Sequence, residues 1–203
     1  MFNRTLEDFL DDISDGIVVG HPFNIATLLG AVSASLGEMV CFLADEGGSY
    51  SEKVKVINRI KPQLEQFKTS FQKLTPVFNE HYKNLKMETG KNKESGSTSK
   101  EKIDFLNTEI AELYIDLLKY SNEVLALINS VKDFVKTSNL TELLTSSILL
   151  KSLSEIGFFN LTIYLKYLDK NTRERVKTRA DMLYSDICKS SDYLTSTIKH
   201  KVV

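Results

Sequence analysis

Two side chains stand out as groups able to move protons near neutral pH. His21, in the run Gly20-His21-Pro22-Phe23-Asn24, lies just ahead of a long apolar stretch. An unperturbed imidazole, with a pKa of about 6.5, suits general acid–base work. The simpler reading is a loop histidine with no chemical role. Glu38 is the one charge in the apolar stretch 24–43. A carboxyl buried there has a raised pKa and can serve as an acid; on that helix's least buried edge it is simply solvated. His81 and His200 fall on polar faces without ligand spacing to a cysteine or carboxylate pair. The sequence shows no metal site, nucleophile triad or phosphate loop.

The elements that must position these groups are helical. Residues 24–43 read as a helix buried all round, with Asn24 as N-cap and Gly47-Gly48 as its stop. Ala26, Gly30 and Ala34, and likewise Ser33 and Gly37, stack at i, i+4 as flat strips open to a neighbouring backbone. Each interior glycine costs about 1 kcal/mol against alanine, which close packing must offset. The stretch is near the roughly 20 residues of a membrane span. Glu38, the small residues and the acidic flank Asp45-Glu46 favour the central helix of an α protein instead.

Upstream, Thr5 caps a short helix with Leu6, Phe9, Leu10 and Ile13 on one face, and Ile17–Phe23 is a loop. Downstream, Ile57, Ile60, Leu64, Phe67, Phe71, Leu74 and Phe78 form a 3,4-spaced seam in a helix from Ser51, which Pro62 and Pro76 kink or split near Thr75. Residues 86–100 lack an apolar period and read as a mobile loop. A second seam runs from Ile103 to Phe134, so the two long helices make an antiparallel hairpin. Thr137-Ser138-Asn139 is a break. Leu140–Leu168 is a second buried helix, interrupted at or near Gly157, and Asn171 caps a last amphipathic helix carrying Val176, Ala180, Leu183, Ile187 and Leu194. No segment alternates with period two. The fold expected is all-α: one domain over 1–203, a multihelical up-and-down bundle built on the long hairpin.

At 203 residues the chain can bury a substantial core. A net charge of -1 gives no electrostatic reason to expect nucleic acid or an anionic membrane as partner. Cys41 and Cys188 read as reduced core thiols, and Met1-Phe2-Asn3-Arg4 is no secretory leader, so a cytoplasmic protein is expected.

The phrase Thr5-Leu6-Glu7-Asp8-Phe9-Leu10 and the helix Ala26-Thr27-Leu28-Leu29-Gly30-Ala31-Val32-Ser33-Ala34-Ser35-Leu36-Gly37-Glu38-Met39-Val40 resemble the opening of the cyclodeaminase/cyclohydrolase family. Ser138-Asn139, Gly157, Asn160-Leu161 and Asp169 resemble that family's later landmarks, in order, with a one-residue slip after Gly157. The small-residue strips and the apolar content suggest a homodimer with a largely helical interface, and the resemblance implies an all-helical protein acting on a tetrahydrofolate derivative as substrate, with no separate cofactor or metal. The reaction implied is ring closure of 5-formimidoyltetrahydrofolate with loss of ammonia, or hydrolysis of the methenyl bridge. It makes His21 and Glu38 the catalytic candidates, and Gly20, Phe23, Asn24, Asn139 and Asn160 the substrate-binding ones. The asparagines also read as a helix cap (Asn139) and a satisfied core amide (Asn160).

The sequence departs from the family in two places. The family's Pro-Gly-Gly-Gly-Ser turn, a natural anion cradle at a helix N-terminus, is replaced by Gly20-His21-Pro22-Phe23-Asn24, and the family's Ser-Asp pair has no aspartate at Leu144–Ser146. The alternative these departures open is a non-catalytic helical binding or scaffold protein whose pocket Phe23 has partly filled.

Overall fold

The computed structural model describes residue 11 and residues 21–45, 52–95 and 100–202. Residue 11 apart, the short helix expected over 5–13 lies outside those residues, as does the candidate Gly20. Five α-helices account for nearly all of the described chain: α1 (Pro22–Asp45), α2 (Glu52–Ser95), α3 (Lys100–Val131), α4 (Leu140–Leu165) and α5 (Lys170–Val202). A 3-10 turn at Thr137–Asn139 occupies the expected break before α4. No strand occurs among the described residues.

The apolar seams fix the topology. Phe78 meets Tyr114, Phe71 meets Tyr120, and Lys102 pairs with Glu88, so α2 and α3 form the antiparallel hairpin. α1 packs antiparallel along α2, its first turn beside Phe78 and its later turns beside Leu64 and Lys68. α4 completes a four-helix ring against α1 and α3, and α5 covers the α3–α4 face. The core inside is continuous, with Leu64, Phe71, Phe78, Ile110, Tyr114, Leu117, Leu125, Ile128, Leu143, Leu150 and Leu153 all fully buried. Val176, Ala180, Ile187 and Leu194 close it from α5.

Several expectations are corrected. α1 is not buried all round: Val32, Met39 and Phe42 form an outward stripe, Phe42 being 54% exposed. Val32 and Met39, with Leu28, Ala31, Leu36 and Lys68, line an apolar groove of about 330 Å³. A ring, not a backbone, lies over Gly30: a Cβ there would sit 2.5 Å from Phe71. Of the two outcomes expected at the prolines the split does not occur: α2 runs through Pro62 and Pro76 as one helix. Each proline removes a backbone hydrogen bond at a cost of about 3 kcal/mol, which the buried seam from Ile57 to Phe78 offsets. α2 also continues to Ser95, through the first part of the segment 86–100 expected to be loop. Lys86, Met87 and Glu88 are good helix formers even without an apolar period, and Lys102 holds Glu88 at 2.7 Å. α4 runs through Gly157 without interruption, the Leu117 side chain filling the space beside that glycine. The caps shift as well. α1 starts at Pro22, two residues before Asn24. Asp169, not Asn171, caps α5 by accepting from the N–H groups of Asn171 and Thr172 at 2.9 and 3.1 Å.

Both α1 and α4 are long and apolar enough to cross a membrane. Hydroxyls on their inner faces bond across the bundle, Thr27 to Thr75 at 2.7 Å and Ser146 to the Ser33 carbonyl at 3.0 Å, as in core helices. Cys41 is in the core, where burial pushes its thiol up to about 11, and Cys188 is half-buried; both are free.

Candidate functional site

The polar and aromatic groups of the chain converge where α1 begins. Pro22 presets the first helical turn, and the His21 carbonyl accepts from the Asn24 and Ile25 N–H groups at 2.8 and 3.4 Å. The His21 ring is itself a cap: the Phe23 N–H donates to Nδ1 at 3.2 Å. The ring lies 4.7 Å from Phe78 and 4.8 Å from Tyr82, centroid to centroid. Burial, with the Lys86 ammonium nearby, lowers its pKa to about 4. His21 is therefore neutral at physiological pH. With Nδ1 accepting, the neutral ring carries its proton on Nε2, which becomes a donor facing outward from the cap.

Behind His21 the space is filled by rings. Phe23 is fully buried, stacked on Phe78 at 4.2 Å and edge-on to Tyr114 at 5.0 Å. Tyr114 in turn lies 5.6 Å from Tyr164 of α4. A polar strip runs alongside: Asn24 Nδ2 donates to Asn79 Oδ1 at 3.0 Å, and the Thr27 hydroxyl bonds Thr75 and the Asn24 carbonyl. At the rim, Lys86 Nζ sits 4.8 Å over the Tyr82 ring. Together these groups set stacked rings, side-chain amides, phenols and a cation side by side at one end of the bundle.

The sequence-predicted residues divide. His21, Phe23 and Asn24 lie together, and Asn160 is one helical turn before Tyr164 at the same end of the bundle. Its amide, however, donates to the Ile156 carbonyl of its own helix at 2.8 Å. Glu38 is elsewhere: about 25 Å of helix rise separates it from His21, and it pairs with Lys68 at 2.9 Å. Asn139 sits in the turn before α4, where its side chain accepts from the Ser138 hydroxyl at 3.1 Å. About 35 Å of α4 lies between it and Tyr164. Within one chain neither reaches the His21 end. Asn79, Tyr82, Lys86, Tyr114 and Tyr164 went unread as site residues. Tyr82, one turn past Phe78 on the α2 seam, and Tyr114, one turn past Ile110 on α3, carry a periodic signal.

With the geometry in place, comparison with known proteins defines the class. The fold is that of the crystal structure of formiminotetrahydrofolate cyclodeaminase from Thermotoga maritima, matched with a TM-score of 0.88 over 99% of this chain and 98% of that one, at 15% identity. No curated protein matches the sequence. Residues 5–182 match the formiminotransferase-cyclodeaminase family, and the chain belongs to it.

Proposed function

We propose that this protein binds a tetrahydrofolate derivative at the start of α1 and carries out one-carbon chemistry on it, as a formimidoyltetrahydrofolate cyclodeaminase or a methenyltetrahydrofolate cyclohydrolase. Family membership over residues 5–182 supports the substrate class. The observation that carries the site is the grouping of His21, Asn24, Asn79, Tyr82 and Lys86 at one helix start. The pterin would lie against the rings, with the glutamate tail towards Lys86. The substrate is its own one-carbon carrier, and the reading calls for no separate cofactor. It also carries with it a cytoplasmic homodimer.

In ring closure, N10 attacks the carbon of the protonated formimidoyl group and loses a proton, while the nitrogen gains one and departs as ammonia. In hydrolysis, water loses a proton as it adds to the methenyl carbon, and the carbon–N5 bond then breaks as the added hydroxyl passes its proton to N5, leaving the formyl group on N10. His21, neutral with Nδ1 capping α1, fits the part of a donor through Nε2–H that orients the substrate, rather than that of an imidazolium acid.

The test is to mix the purified protein with methenyltetrahydrofolate and follow loss of the methenyl absorbance. Catalysed loss that falls at least about tenfold in His21→Ala supports the reading, tenfold being about 1.4 kcal/mol of transition-state stabilisation. Absence of both binding and turnover refutes it in favour of a non-catalytic helical protein.

A further inference from the structure

The Tyr114 hydroxyl is an exception in the interior. Tyr114 is fully buried, and its hydroxyl has no hydrogen-bond partner among the described residues. The buried serine and threonine hydroxyls elsewhere in the core are bonded. Thr27 bonds Thr75, Ser121 the Leu117 carbonyl, Ser146 the Ser33 carbonyl, Ser147 bonds Ser191, and Ser154 the Leu150 carbonyl. A phenylalanine would fill the same ring space without burying an unpaired polar atom. A hydroxyl retained in such a place calls for a partner that arrives from outside the fold.

Its position says which partner. The Tyr114 ring touches Phe23, the plug in the first turn of α1, and lies beside Tyr164. We propose that Tyr114 is a specificity-determining residue for the bound ligand, its hydroxyl donating to an acceptor atom, a carbonyl oxygen or ring nitrogen, of a planar heteroaromatic guest that displaces the Phe23 ring. The inference rests on the folate reading above, whose pterin carries such acceptors. Burial and the neighbouring phenols of Tyr164 and Tyr82 push the Tyr114 phenol well above its ordinary range, so it stays protonated and acts as a donor. The Phe23 ring is the piece to move, because it sits at the helix start and is held by stacking on Phe78 rather than by hydrogen bonds.

Tyr114→Phe tests the inference. Thermal unfolding of wild type and variant is measured without ligand, and 5-formyltetrahydrofolate is then titrated into each by calorimetry. The inference predicts opposite signs: an unfolding temperature equal to or above wild type, and an affinity lower by about tenfold or more. A variant that binds as tightly as wild type overturns the Tyr114 assignment and leaves the folate reading standing. A variant that unfolds at lower temperature also overturns it, because the hydroxyl then has a partner within the fold. If wild type itself does not bind, the folate reading fails and takes this inference with it.

Discussion

Protonating His21 should cost this protein stability, and the sign and size both follow from the cap. In the folded chain Nδ1 accepts the Phe23 N–H, and burial beside Lys86 lowers the pKa from 6.5 to about 4. In the unfolded chain the ring titrates near 6.5. Between those values the unfolded state binds the extra proton, so stability rises with pH. The contribution is fully present above about pH 6.5 and is lost as pH falls through that value towards 4. At about 1.4 kcal/mol per pKa unit the full shift sets an upper bound of about 3 kcal/mol. The ring is only part-buried, and solvent screening brings this to about 1–2 kcal/mol.

The perturbation is His21→Asn, which keeps a capping oxygen but does not titrate. Urea midpoints of both proteins are compared at pH 7.5 and 4.5. Wild type should lose about 1–2 kcal/mol more than the variant over that interval. In parallel, the His21 ring signal followed by NMR should titrate near 4. Equal losses in the two proteins, or a His21 titration near 6.5, would refute the cap and the assignment of His21 as a neutral donor.

Four further outcomes follow from the packing and the ion pairs. Phe23→Ala removes a fully buried ring stacked on Phe78, and urea denaturation should show a loss of about 3–5 kcal/mol. Gly30→Ala drives a methyl to 2.5 Å from the buried Phe71 ring; about 1–3 kcal/mol of overpacking outweighs about 1 kcal/mol of helix propensity, and the unfolding temperature should fall. Gly90→Ala, with nothing within 4 Å, should instead gain up to about 1 kcal/mol. Glu38→Gln removes one partner of the Lys68 ion pair, far along α1 from His21. Methenyl turnover should stay within about twofold while stability falls by about 1 kcal/mol or less; a large loss of turnover would bring Glu38 back into the site.

Much of the architecture was legible because the seams of α2 and α3 are strict. Ile57 to Phe78 and Leu106 to Val131 repeat at 3,4 spacing, and they meet as an antiparallel pair. What failed to show did so for physical reasons. Periodicity finds a polar face but cannot tell an apolar face turned inward from one turned outward, so Val32, Met39 and Phe42 read as core. Tertiary packing carries α2 through two prolines that local rules count as breaks. Residues 86–95 show no apolar period, yet their lysines and glutamates favour helix, and α2 continues through them. The site itself was half visible. His21, Phe23 and Asn24 are neighbours in sequence. Asn79, Tyr82, Tyr114 and Tyr164 come from three other helices, and only the crossing of those helices brings them to the start of α1.

The central claim is that ligand binds at the start of α1 and not along its outward apolar groove. The most direct measurement is an NMR titration with 5-formyltetrahydrofolate, following ring signals of His21, Tyr82 and Tyr164 alongside the methyl signals of Val32 and Met39. Saturable shifts of the His21, Tyr82 and Tyr164 rings, with Val32 and Met39 unmoved, are what the account predicts. Shifts confined to Val32 and Met39, or none anywhere, would contradict it.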